Sequence, residues 1–321
     1  MNEIRRRDPD RKRSVIDLQP DTVHALPFCR SGSHSDMIDL TNVSQIKDLL
    51  ARHGFRFSKS LGQNFIIDPT VCPRMAEECG AGPGVGVLEI GPGVGVLTEQ
   101  LARRAEKVAA IELDERLLPV LDETLGEYDN VRVIHGDALK LDLHKLLEEN
   151  FFGLKAAVCA NLPYYITSPV IMALLESRLP VESITVMVQK EAADRLCAAV
   201  GSRDAGAVTV AVNYYAEAEK LFDVPAGSFM PAPKVNSSVI RLTVRSAPPV
   251  QLADEAQFFR VVKAVFAQRR KTAANSVSAG LGVPKAAVVA ALAAVGENEN
   301  ARAERFDLRQ LAAFANALNQ E

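Results

Sequence analysis

Between residues 86 and 189, short β-branched runs alternate with stretches of helical character, and this alternation limits the chain to a parallel sheet covered by helices on both faces. The runs fall at 87–90, 108–111, 131–134, 157–160 and 184–188. Two later runs, 217–224 and 237–244, flank a proline-rich loop and read as an antiparallel edge pair. After Ser246-Ala247-Pro248-Pro249 the pattern turns wholly helical, over 258–267, from 272, over 285–295 and over 308–318. The expected fold is therefore α/β: a doubly wound, Rossmann-like sheet over 37–246 and a small all-helical domain over 247–321.

A chain of 321 residues suits one large domain and one smaller one. Its apolar runs all fall short of the roughly 18 to 20 residues that a membrane helix requires, and the start lacks the apolar core of a secretory signal. The composition changes at Met37, so 1–36 is expected to be a flexible tail or a mis-assigned start. The five cysteines are scattered, with no Cys-Xaa-Xaa-Cys pair and no histidine cluster at ligand spacing. This fits a reduced cytosol and no structural metal, with Cys159 a small buried hydrophobe; nothing suggests an extensive apolar interface, so the protein is expected to be a cytoplasmic monomer. A net charge of −3 argues against a protein that coats nucleic acid everywhere. Local basic runs remain: Arg5-Arg6-Arg7, Arg11-Lys12-Arg13, and the group Arg260, Lys263, Arg269, Arg270 and Lys271.

The first strand runs into Glu89-Ile90-Gly91-Pro92-Gly93-Val94-Gly95, with a helix opening near Leu97-Thr98. Glycines there permit positive φ and close backbone approach to a ligand. A pyrophosphate-binding turn has the spacing Gly-Xaa-Gly-Xaa-Xaa-Gly, whereas this one is Gly-Xaa-Gly-Xaa-Gly. An acid, Glu89, leading a compact turn suits a phosphate-free cofactor bearing an ammonium and a sulfonium, and S-adenosylmethionine is such a ligand. Glu112 closes the next strand at the offset where a carboxylate accepts from both ribose hydroxyls, and Asp114 is placed to cap the following helix. After the third strand comes Gly136-Asp137-Ala138: Asp137 is suited to accept from an adenine amino group, while a backbone N–H beside it, at Ala138, donates to a ring nitrogen. The glycines alone would serve any tight turn; acids at successive strand ends, all on one sheet edge, carry the reading.

The fourth strand ends in Asn161-Leu162-Pro163-Tyr164-Tyr165. The amino nitrogen of adenine is a poor nucleophile because its lone pair is delocalised into the ring. Acceptors that hold both amino hydrogens, the Asn161 side-chain oxygen and the main-chain carbonyl of Leu162 or Pro163, bias it toward pyramidal geometry and aim the lone pair at a methyl group. Alignment and electrostatics then suffice without a strong base. Tyr164 is placed to stack on a flipped-out base.

With these residues assembled, the chain from about Met37 onward resembles the ribosomal small-subunit RNA adenine dimethyltransferases. The matching stretches are Lys59-Ser60-Leu61-Gly62-Gln63-Asn64-Phe65-Ile66-Ile67-Asp68, Glu89-Ile90-Gly91-Pro92-Gly93, Asn161-Leu162-Pro163-Tyr164-Tyr165, Gln189-Lys190-Glu191, Phe229-Met230-Pro231-Ala232-Pro233-Lys234-Val235 and Phe266-Ala267-Gln268-Arg269-Arg270-Lys271-Thr272. The resemblance implies dimethylation of two adjacent adenosines in the 3′-terminal hairpin loop of small-subunit rRNA, late in subunit assembly. It also implies that Asn64 and Ile66 line the cofactor pocket with Gly91, Glu112, Asp137 and Asn161. From the residues alone, 62–65 is only a polar turn before a helix. Similarity further places the loop of Phe229 near the target base, although that residue would equally serve as a core anchor. Departures occur at Ala205, where members often carry tyrosine, and at Ala273 and Ser276, which bear on RNA contact.

Arg260, Lys263, Arg270 and Lys271 fall at helical spacings that form a basic stripe suited to phosphates. Two rivals stand beside the small-subunit enzyme. One is a large-subunit rRNA methylase, which shares the Asn-Xaa-Pro-aromatic motif; the other is a non-catalytic assembly or transcription factor, against which the retention of Glu112, Asp137 and Asn161 speaks.

Overall fold

The computed structural model describes residues 38–58, 62–268 and 271–318. The expectation for 1–36, and those for Arg269 and Arg270, lie outside the described residues. In chain order the elements are α1 (Val43–Arg52), β1 (Phe65–Ile66), α2 (Val71–Glu78), β2 (Val85–Ile90), α3 (Val96–Ala102), β3 (Lys107–Glu112), α4 (Leu118–Leu125), β4 (Val131–His135), α5 (Leu143–Phe151), β5 (Lys155–Asn161), α6 (Thr167–Glu176) and β6 (Ser183–Gln189). They continue with α7 (Lys190–Leu196), α8 (Ala207–Tyr215), β7 (Ala216–Val224), β8 (Phe229–Met230), β9 (Ser237–Val244), α9 (Glu255–Ala267), α10 (Ala273–Leu281), α11 (Lys285–Ala294) and α12 (Leu308–Leu318).

The main sheet has seven strands in the order β4-β3-β2-β5-β6-β9-β7. Strands β2 to β6 run parallel, and β9 joins β6 and β7 antiparallel, so the expected edge pair is present. Sequence periodicity gave no sign of a second, two-stranded ribbon, in which Phe65 pairs with Met230 and Ile66 with Phe229.

Alternation along each strand sends successive side chains to opposite faces. Val87, Val108, Cys159 and Met187 enter the core under α1 to α4, whereas Leu88, Ala109, Val158 and Val186 enter the one under α5 and α6. A third core gathers Phe258, Val262, Leu292 and Phe314 between α9 and α12, and Val210 of α8 joins it. Ala205, Ala273 and Ser276, the departures from the family pattern, are all buried. No helix among the described residues is long and apolar enough to cross a membrane.

Helix α5 lies close against β2 because Gly86 has no side chain: a Cβ there would stand 2.4 Å from two ring carbons of Phe151. Phe151 is itself buried, 4% exposed. Gly86→Ala is therefore expected to destabilise the protein by roughly 1–3 kcal/mol through overpacking, measured by denaturant unfolding; an unchanged midpoint would show that α5 slides away at no cost.

Candidate active site

Strand β2 leaves the sheet at the point where its neighbours β3 and β5 connect in opposite directions, which opens a crevice beyond the strand ends. The turn after β2 holds Gly91, Gly93 and Gly95 at φ of 74°, 63° and 95°, a region that L side chains rarely enter. At Gly93 the constraint is doubled, since a Cβ would come within 3.1 Å of the Phe65 ring. One cleft lies over this turn. Asn64, Ile66, Gly91, Glu112, Asp137, Ala138 and Asn161 line it together with Leu162, Pro163 and Tyr164. The sequence-predicted pocket and the sequence-predicted catalytic motif thus face the same space.

Two carboxyl groups lie deep in this cleft. Glu112 is 6% exposed, and its oxygens accept from the backbone N–H of Asp114 at 2.8 Å and of Gly93 at 3.2 Å. Burial raises its affinity for a proton, against the opposing effect of those two hydrogen bonds. Glu89 is more extreme. It is 1% exposed, its Oε2 has no hydrogen-bond partner among the described residues, and burial, opposed by the neighbouring Thr98 hydroxyl and reinforced by the Glu112 charge, pushes its carboxyl up to about 8. A buried acid left unsatisfied is costly and marks a place where a ligand supplies what the protein does not. Asp137 is more open: one oxygen accepts from the N–H of Leu139 at 3.0 Å and the other lies 3.4 Å from the Lys140 ammonium. Asp114 caps the short helical turn after β3 as expected, accepting from the N–H of Arg116.

At the end of β5, the Asn161 Nδ2 donates to the main-chain carbonyl of Asn64 at 3.2 Å. With the amide nitrogen committed there, Oδ1 is left as the acceptor. The two candidate carbonyls differ. That of Pro163 already accepts from the Ile166 N–H at 3.1 Å and the Thr167 hydroxyl at 3.4 Å, while that of Leu162 carries no hydrogen bond among the described residues. Of the two, the Leu162 carbonyl is therefore the one left open, while that of Pro163 closes the turn into α6. The Tyr164 hydroxyl is tied to the Ser237 hydroxyl at 2.7 Å, which fixes the ring at the cleft wall.

Other expected site residues lie elsewhere. Phe229 is 3% exposed, packs in the core beneath the sheet and does not line the cleft. Its place is structural: it pairs with Ile66 and so supports the strand that follows Asn64. Arg260 and Lys263 occupy one exposed face of α9, three residues apart, with Arg260 bonded to Gln257. Lys271 is exposed in the turn before α10, and none of the three lines the cleft.

Among the lining residues that sequence reasoning missed, four bear most on the site. Gln63 donates to Asp114 at 2.8 Å, while Leu113, Leu139 and Tyr165 are large apolar side chains left exposed at the rim. Leu113 directly follows Glu112, and Leu139 follows Asp137 by two positions. An apolar residue beside an acid at a strand end is a signal that could have found both.

The chain resembles in structure a dimethyladenosine transferase from Plasmodium falciparum (TM-score 0.66, 26% identity, 78% of this chain and 95% of that one). It also resembles the 23S rRNA methyltransferase ErmE (TM-score 0.59, 27% identity, 79% and 99%). Fold and cleft together define a Rossmann-like methyltransferase with appended helices. A profile of the family described as ribosomal RNA adenine dimethylase matches residues 54–318, and the chain belongs to that family. It is 51% identical over 284 residues to ribosomal RNA small subunit methyltransferase A of Geobacillus thermodenitrificans (87% of this chain, 97% of the relative) and 47% identical over 286 residues to that of Bacillus cytotoxicus (88% and 98%).

Proposed function

We propose that this protein dimethylates N6 of two adjacent adenosines in the 3′-terminal hairpin loop of small-subunit rRNA. The reading places it in the cytoplasm, acting as a monomer on a pre-ribosomal small subunit. The observation that carries the chemistry is the Asn161 amide, whose nitrogen is committed to the Asn64 carbonyl.

The cleft fits S-adenosylmethionine. The unpartnered Glu89 oxygen suits an ammonium group, and Glu112 keeps lone pairs for two ribose hydroxyls beyond those that Asp114 and Gly93 use. Leu113 and Leu139 offer apolar faces to a flat purine, with Asp137 and Ala138 at its polar edge. When bound, this cofactor supplies a methyl group on a positively charged sulfur. Asn161 Oδ1 and the Leu162 carbonyl accept the two hydrogens of the target amino group and hold its nitrogen in line. Tyr164 and the exposed Tyr165 offer faces on which an extruded base stacks. The methylated nitrogen carries positive charge and releases its proton to water, so the nearby chain need only exclude misalignment. Arg260, Lys263, Arg270 and Lys271 are assigned to phosphates, which set the register of the hairpin and not its sequence.

The identities of 47–51% to small-subunit enzymes, against 27% to the 23S enzyme, favour the small subunit as substrate. Purified protein incubated with labelled cofactor and under-methylated small subunits should yield dimethyladenosine in the small-subunit rRNA. In a parallel reaction with unmethylated large subunits, label on large-subunit rRNA with none on the small subunits would reverse the assignment.

A further inference from the structure

The Asn161 amide is held by a residue 97 positions earlier in the chain, and what holds that residue leads back to the cofactor side of the cleft. Asn64 follows Gln63, whose Oε1 accepts from the Ser58 N–H at 3.2 Å and whose Nε2 donates to Asp114 Oδ2 at 2.8 Å. Asp114 is 6% exposed and is gripped from its other side by Arg116, with Nε to Oδ1 at 2.8 Å and Nη2 to Oδ2 at 2.6 Å. Its own N–H donates to Glu112 Oε1 at 2.8 Å. Arg116 reaches the Arg56 carbonyl at 3.3 Å and stands over the Phe55 ring at 5.1 Å, so the segment before the cleft is clasped at two points. Bonds to Arg116 and Gln63 also lower the proton affinity of Asp114, which keeps it an acceptor.

This arrangement does more than cap a helix. An amide turned by half a revolution would occupy nearly the same volume but present N–H groups to an amino group, donor against donor. Sterics alone do not choose between the two states; the Asn64 carbonyl does, and Asn64 directly follows the doubly bonded Gln63. Glu112, whose Oε1 accepts the Asp114 N–H, lies at the opposite end of the same chain of bonds.

We propose that Gln63 and Asp114 are a positioning pair that transmits cofactor occupancy at Glu112 to the orientation of the Asn161 amide. The inference rests on the roles given above to Glu112 and Asn161. Neither Gln63 nor Asp114 touches the reacting atoms; each acts through Asn161.

The test compares wild type with Gln63→Met, which keeps the length and removes both hydrogen bonds, and with Asp114→Asn, which keeps the shape and removes the charge. The first readout is the ¹⁵N–¹H signal of the Asn161 side chain, assigned by its absence from Asn161→Ala, with and without S-adenosylhomocysteine. In wild type, the added nucleoside is expected to shift and sharpen this signal, and in both variants the response should be lost. The second readout is turnover, expected to fall about 10-fold with KM for rRNA and for cofactor changed less than about 3-fold, the pattern of misalignment and not of lost binding. Thermal melting checks that each variant is folded, and the second variant keeps the proposal exposed should the first fail to fold. A full response of the Asn161 signal in folded variants, with turnover within about 2-fold of wild type, would overturn the pair. A wild type that yields no dimethyladenosine would instead strike the proposed function, while a response abolished by Gln63→Met would still uphold the pair.

Discussion

Asn161→Ala is expected to lower the turnover number by about 100- to 1,000-fold, the range seen when one preorganised hydrogen-bonding group is removed from a reacting centre, while cofactor and RNA affinities change less than about 3-fold. The loss falls on turnover because the Oδ1 acceptor serves only the aligned amino group. Asn161→Asp separates acceptor from orientation. It retains an oxygen toward the base but sets a second one against the Asn64 carbonyl, where Nδ2 now donates at 3.2 Å. The aspartate variant should therefore be impaired as well, despite its extra acceptor capacity. Single-turnover methyl transfer measures both, and near-normal rates in the alanine variant would remove Asn161 from the mechanism.

Glu89→Gln should loosen the cofactor by at least about 10-fold, the loss expected when a charge-assisted hydrogen bond becomes a neutral one, and yet stabilise the ligand-free protein at alkaline pH. In the free protein, burial lifts the Glu89 carboxyl from 4.5 to about 8. A group whose folded value is raised contributes stability that is complete below the unfolded value and is lost as the pH rises through the folded one. Between pH 4.5 and about 8, wild type is thus expected to lose a few kcal/mol that the variant keeps. Binding of a cation beside Glu89 favours its ionised form, so cofactor binding near pH 7 should release a proton and tighten as the pH rises toward about 8. Calorimetry in two buffers of different ionisation heat, with thermal melts across this window, checks both signs. A variant whose affinity and melting profile match wild type would deny Glu89 this role.

The parallel strands were legible because each is a β-branched run at the right interval, and the acids were legible because each closes such a run. Glu112, Asp137 and Asn161 could accordingly be placed on one sheet edge from sequence order alone. The ribbon of Phe65–Ile66 with Phe229–Met230 was not, since two residues are too few to show a period. Of the two places left open for Phe229, near the target base and in the core, the residue takes the core. The residues that orient Asn161 were hidden for a related reason. Gln63 and Asn64 are polar residues in an irregular turn, and their partners are distant in sequence: Asp114 lies 51 positions beyond Gln63, and Asn161 lies 97 beyond Asn64. The choice between Leu162 and Pro163 depends on which carbonyl is already occupied, a fact of three-dimensional hydrogen bonding that no spacing rule reports.

The account depends most on the grip that two acceptors exert on one amino group. A crystal structure with S-adenosylhomocysteine and an adenosine-bearing RNA hairpin tests it directly. The expected result is N6 within hydrogen-bonding distance of both Asn161 Oδ1 and the Leu162 carbonyl, with Nδ2 still on Asn64. An Asn161 amide that faces the base through its nitrogen, or a base seated away from β5, would contradict it.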